Sequence, residues 1–361
     1  EIELVFTRCE RRGTSRYTWF GQIAGIAASH FVLVRQDDAV DLVINNYNDR
    51  RQYEMHIVPA FGEHAVGHAL RKRGDILPSD AQTFGAAFSD EHGGTAPVDP
   101  THEPPFAGEP EFPLQADDTR MIHVLFVCTA QARVGYGTEN AFWASAEQCL
   151  EQMNIRLSNS DTDLAVYLMS ADWDLAGNYN ENANGEVDFS NLANLGSGNN
   201  PAAFAATRPA AADRRADLVF LIRESSWPCG PGCTSAGVTC VAPVTAPMNE
   251  SDLTSQISPF QYAVIARNGG AAMTTDLFPR TTGHNFGACN ALEDGTDCNV
   301  DLVDFPAPFG KRFNCFNIIN CWDAWNTVMA NRYWDECLPA SLSETVPFFS
   351  SPGLHYSAGI C

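Results

Sequence analysis

Apolar and polar positions alternate at the start of the chain, where Ile2, Leu4 and Phe6 fall on one side of an extended strand. Short β-rich runs follow at Phe31–Val34 and Leu42–Ile44, with Asp37 and Asp38 between them as a turn. Tyr17–Gly21 and Tyr53–Val58 read the same way, so residues 1–90 are expected to form a small β-rich domain. The pattern then stops. From Glu91 to Thr119 the chain carries Gly93, Gly94, Pro97, Pro100, Pro104, Pro105, Pro110 and Pro113 among acidic residues, the composition of an extended linker. Periodicity returns with the apolar strand Ile122–Cys128. Thr138 is placed to cap a helix in which Phe142, Ala146, Cys149, Leu150, Met153 and Leu157 recur at helical spacing. A strand at Leu164–Met169, an alanine-rich helical stretch at Ala202–Arg215 and strands at Leu218–Ile222 and Tyr262–Ala266 complete the order. Strands alternating with helices predict an α/β (α+β) domain with a mixed, mainly parallel sheet over residues 120–361.

Composition narrows the partners. The chain holds 44 acidic against 22 basic residues, a formal charge of −22, which argues against nucleic acid and against anionic membrane surfaces. No run approaches the roughly 18 apolar residues of a membrane-spanning helix, so no insertion is expected. Twelve cysteines, crowded between Cys229 and Cys361, suit several disulfides in an oxidising compartment. Cys229, Cys233 and Cys240 have spacings that could also hold a metal, although their Gly-Pro-Gly setting favours a stapled loop. Glu1 opens directly into a strand-like pattern. With the cysteines, this leads to the expectation of a mature secreted chain whose leader lies outside this numbering.

Several short motifs carry less chemistry than their spelling suggests. His64 and His68 have the spacing of a metal pair but sit in an expected loop or strand end, where no helix aligns the rings. Arg71-Lys72-Arg73 before Gly74-Asp75 reads as a solvated basic turn, with processing or adhesion as the functional alternatives. Asn180, Asn182, Asn184 and Gly185 imitate the start of a calcium loop, with Glu186 and Asp188 nearby. Asn191 stands where the bidentate glutamate belongs, so an acidic surface loop is expected. Asn249-Glu250-Ser251 is a glycosylation sequon.

The stretch with most to say is Arg280-Thr-Thr-Gly-His-Asn-Phe-Gly-Ala-Cys-Asn290, followed by Trp325-Asn-Thr-Val-Met-Ala330. Laid on the zinc-peptidase pattern H-E-x-x-H-x-x-G-x-x-H with its Met-turn, it keeps His284, Gly287 and Met329. Arg280 replaces the first histidine, Thr281 the glutamate and Asn290 the third histidine. With Val346–Pro352 beyond, the region from Arg120 to Cys361 resembles the metzincin peptidases of the reprolysin-like bacterial type. Tyr17–Gly21 and the strands after it resemble the prodomain-like region of the same proteins.

The residues themselves explain why the resemblance implies a lost zinc site. A guanidinium has no lone pair to give a metal and is always protonated, so Arg280 repels a divalent cation. Asn290 is a weak oxygen ligand. Thr281 cannot serve as the general base, a role worth roughly 10²–10⁴ in rate. Neither zinc nor any other cofactor is therefore expected; structural calcium at Asn180–Asn191 is the one candidate. The function expected is that of a secreted, inactive peptidase-like protein acting through protein partners, itself included, as a self-assembling extracellular filament subunit. Two alternatives stay open. One is an active enzyme with rearranged ligands drawn from His92, His102, His123 and His355. The other is a peptide or carboxylate binder in which Arg280 and His284, four residues apart, form the clamp.

Overall fold

The computed structural model describes residues 2–11, 14–27, 29–46, 51–58, 67–73, 82–85, 120–160, 164–194, 200–230, 233–239, 262–267, 277–285, 312–317, 320–326 and 343–345. It is a mixed α/β structure with an antiparallel sheet and a largely parallel one.

The alternating N-terminal pattern folds into six antiparallel strands in simple sequence order. They are β1 (Leu4–Arg11), β2 (Arg16–Ile23), β3 (Ser29–Gln36), β4 (Ala39–Asn46), β5 (Arg51–Val58) and β6 (Gly67–Arg73). Asp37, at φ 54°, closes the tight hairpin that sets Gln36 opposite Ala39, as the Asp-Asp turn signal anticipates. The Arg71-Lys72-Arg73 triplet is a correction to the sequence reading. It is not a turn but the end of β6, in register with Glu54, Tyr53 and Gln52 of β5. His68 lies on the same strand, and His64 falls outside the described residues.

The second sheet is built from the near-continuous apolar runs that doubly covered parallel strands require. Its order is β11 (Trp227–Gly230), β12 (Cys233–Thr239), β13 (Tyr262–Ala266), β10 (Leu218–Arg223), β8 (Arg120–Cys128) and β9 (Leu164–Asp172). The last four strands are mutually parallel, and β12 runs against β13. A short strand from the N-terminal half, β7 (Gln82–Gly85), pairs in parallel with β12. Leu125, Phe126, Val127, Phe220, Leu221, Ile222 and Val264 are fully buried, so this sheet is covered on both faces.

The helices start and stop where local chemistry says they should. Thr129 caps α1 (Ala130–Tyr136) by accepting from Ala132 N–H at 3.1 Å, and Gly137, at φ 76°, ends it. Thr138 caps α2 (Glu139–Asn159) through Ala141 N–H at 3.2 Å, and the six apolar positions picked out by periodicity are all buried. α3 (Gly185–Ala193), α4 (Thr207–Asp213) and α5 (Leu277–Asn285) follow, with a 3₁₀ turn at Pro201–Phe204 before α4.

α2 lies between the two sheets. Phe20, Val32, Val34 and Ala39 of the N-terminal sheet belong to one continuous core with Phe142, Leu150 and Met153 of α2 and with the second sheet. The opposite face of the N-terminal sheet carries a separate apolar cluster of Ile23, Phe31, Leu42 and Ile44. A third sheet joins β14 (Arg312–Asn317), β15 (Asn320–Asn326) and β16 (Ser343–Thr345).

Candidate functional site

The motif stretch begins as a helix. α5 runs from Leu277 to Asn285 and packs beside β13, β12, β7 and α2. Its anchor is Phe278, whose ring meets Phe220 at 4.7 Å and Phe126 at 5.5 Å, an aromatic cluster over the centre of the parallel sheet. Arg280, Thr281 and His284 are all buried on this one helix. Thr281 turns its hydroxyl back along the helix and donates to Leu277 O at 2.8 Å; Thr282 does the same to Phe278 O at 2.8 Å. A neutral hydroxyl is far too weak a base to take a proton from water, so Thr281 cannot do the work of a glutamate. Asn285 reaches Tyr262 O at 3.5 Å, tying the helix end to β13.

These residues do not fit a zinc ion. The helix offers one imidazole where a zinc site takes two from one face, and the other position carries a permanent cation. Among the described residues no group of three or more His, Cys, Asp or Glu side chains stands close enough to hold a metal. Asn290, Gly287 and Met329 lie outside the described residues, as do His92, His102, His355 and the sequon at Asn249. Of the substitute ligands, His123 is placed on β8, where its ring stands 3.6 Å from Asp217 and edge-on to Tyr167.

A second cluster, which the sequence reading missed, sits at the carboxyl ends of the parallel strands, where open α/β sheets place their ligand crevices. Arg223, at the end of β10, is buried and pairs with Asp188 Oδ2 at 2.8 Å and Glu181 Oε2 at 3.6 Å. It also donates to Asn182 O at 2.8 Å. Asp188 accepts from Tyr179 Oη at 2.5 Å and from Asn182 N–H at 3.0 Å. Burial pushes the Asp188 carboxyl up, against the pull of Tyr179 and Arg223, and pushes the Tyr179 phenol up to about 12. Glu181 accepts from Thr129 Oγ1 at 2.6 Å, and Arg267, just past β13, forks onto both oxygens of Glu224 at 2.7 Å. Trp227 lies under Arg223, with the guanidinium 4.9 Å from its ring.

This overturns the surface-loop reading of residues 180–191. Asn184 caps α3 through Glu186 N–H at 2.9 Å, and Asp188 and Asn191 are buried inside the helix rather than displayed on a loop. Asn191 donates to Tyr179 Oη at 2.9 Å and accepts from Asn200 N–H at 2.6 Å. The available signal was Arg223 itself, a lone cation closing an otherwise apolar strand, which needs an acid nearby.

The cysteines whose side chains are described lie outside the Cys229–Cys361 cluster. Cys9 is a free, exposed thiol, and Cys128 is a free thiol buried in the core, its pKa raised to about 12 by burial. Cys149 is buried in α2. The side chains of the cysteines from 229 to 361 lie outside the description.

No family model matches the sequence, and no curated protein matches it. Among solved structures, a chain from a chaperone–substrate complex has a TM-score of 0.43 at 13% identity; the match covers 66% of this chain and 31% of that one. Metalloproteinase-II from Bacteroides fragilis has a TM-score of 0.40 at 12% identity, over 82% of this chain and 78% of that one. This chain thus spans about a third of the first structure's length. No helix among the described residues is long and apolar enough to cross a membrane.

Proposed function

We propose that this chain is a catalytically silent, metzincin-like protein that works by protein–protein contact, and that its partners include further copies of itself in an extracellular filament. The observation that supports this best is the state of Thr281. It stands where the peptidase pattern needs a glutamate, and its only acidic proton is bonded to Leu277 O inside a buried helix. Arg280 beside it supplies a fixed positive charge where a divalent cation would have to sit. The charged groups at the strand ends are paired with one another, which suits a scaffold. Secretion belongs to the same proposal, on the strength of the twelve cysteines.

Two assays on the full chain test it together. Cleavage of denatured protein substrates is expected to stay at the buffer background with or without added zinc. Light scattering and electron microscopy over a dilution series are expected to show growth in size with concentration. Sustained cleavage, or a monomer at every concentration, would overturn the corresponding half of the reading.

Arg280 and His284 stand four residues apart on the same helix, and this spacing favours a second reading, capture of a carboxylate. It requires a peptide whose affinity falls at least tenfold, about 1.4 kcal/mol, in Arg280→Ala.

A further inference from the structure

β1 is an edge strand. Among the described residues it pairs only with β2, and its large apolar side chains face solvent, Val5 48% and Phe6 55% exposed. Such an edge is a template for another strand, and a β-bulge ordinarily spoils it. Here the bulge selects the partner.

The hydrogen-bonding phase of β1 shows how. Ala24 N–H donates to Glu3 O at 2.9 Å, so Glu3 directs its backbone groups toward β2. Ile23 N–H goes the other way, to Ser29 Oγ at 2.9 Å, as alternation requires. Val5 therefore bonds inward, and Leu4 and Phe6 direct their backbone groups outward. The irregularity between Phe6 and Arg8 reverses the phase. Beyond it Arg8 and Glu10 bond inward, while Cys9 and Arg11 face out. A regular strand can satisfy one half of this edge but not both. A second β1, run antiparallel with bulge opposite bulge, carries the same break. It sets Leu4 against Arg11 and Phe6 against Cys9 on each side of a two-fold axis, and every outward group meets an outward group.

The side chains fit the same register. Phe6 meets Phe31 edge-on at 5.1 Å, and beside it lies an open groove of about 490 Å³ lined by Phe6, Thr7, Arg8, Cys9, Trp19 and Leu33. The mate's Phe6, arriving opposite Cys9, enters that groove. Knob and hole on one strand are what an isologous interface needs. Arg8, close to the axis, is already neutralised by Glu10 at 3.1 Å and lies over the Phe20 ring at 4.1 Å, so like charge does not block the approach.

We propose that β1 is a self-recognition strand, by which two copies of the chain join their N-terminal sheets edge to edge with each Phe6 seated beside the other's Cys9. This rests on the self-association proposed above and names its surface. Sedimentation of the full chain over a dilution series is expected to show a dimer that Phe6→Glu weakens roughly tenfold or more. Phe6→Leu is expected to keep it, and both variants should retain the wild-type circular dichroism, since Phe6 is more than half exposed. In Phe6→Cys, copper phenanthroline should link the introduced thiol to Cys9 of the second copy, read as a joined peptide by mass spectrometry. A wild-type monomer throughout, a Phe6→Glu variant that associates like wild type, or a dominant Cys9-to-Cys9 link would overturn the proposal. An assembly indifferent to Phe6 removes this surface and leaves self-association standing; zinc-dependent cleavage removes the functional reading whatever β1 does.

Discussion

Among the described residues, two buried polar seams are held by different chemistry. At the strand ends, Arg223, Asp188, Glu181, Arg267 and Glu224 form charged pairs at 2.7–3.6 Å. Between the N-terminal sheet and α2, the His30 ring is held by amides. Gln52 donates to Asn45 Oδ1 at 2.9 Å, Asn45 Nδ2 stands 2.9 Å from His30 Nε2, and Gln152 of α2 also bonds His30. Arg156 of α2 is turned back on Gln152, donating to its O at 2.7 Å and its Oε1 at 3.1 Å. With Asn45 as donor, His30 Nε2 must be an acceptor, so the seam is built for uncharged imidazole. The first seam fails when one partner is deleted; the second fails when a proton is added.

The sharpest way to break the first seam is Arg223→Met. It strands Asp188 and Glu181 without their cation, and the expected loss is about 3–5 kcal/mol, read from the urea midpoint. Replacing the whole charged set with matched apolar residues should cost far less. Gly135→Ala comes next. A methyl there would collide with both the Glu224 carboxylate and the Arg267 guanidinium, and about 2 kcal/mol of destabilisation is expected in the same assay.

The second seam is tested by acid. Burial, with Arg156 nearby, lowers the His30 pKa from 6.5 to about 4. The unfolded chain takes up this proton near pH 6.5 and the folded chain only near 4. Stability is therefore untouched above that window and lost as pH falls through it. For a ring that keeps some solvent contact, the loss is expected to be about 2 kcal/mol, and His30→Gln should flatten the slope between pH 6.5 and 4. The smallest effect is expected at Thr281→Val. It deletes a hydroxyl whose bond only closes on its own helix, and it should cost no more than about 1 kcal/mol while leaving every assay of function unchanged.

Much of the scaffold was legible because apolar period decides it. Tyr262–Ala266 matches β13 end for end, Thr138 caps α2, and Asp37 turns the β3–β4 hairpin, each from local chemistry. The site was only half legible. Arg280, Thr281 and His284 were expected on a helix only through the resemblance to the peptidase pattern, and they do lie on α5. The network around Arg223 could not be placed, because its partners are 35 and 42 residues away, at Asp188 and Glu181, and nothing local marks them. Residues 180–191 misled for a physical reason: asparagine and acid favour both surface loops and helix N-termini, and here Asn184 took the second role. The edge character of β1 was equally hidden, since strand alternation does not say which strands end a sheet.

The most direct test of the account is zinc content, measured by plasma mass spectrometry on the full chain after mild chelation, re-addition of zinc and dialysis, with peptidase activity assayed on the same sample. The account predicts well under one zinc per chain and no cleavage. One zinc retained per chain, with cleavage that a chelator abolishes, would contradict it.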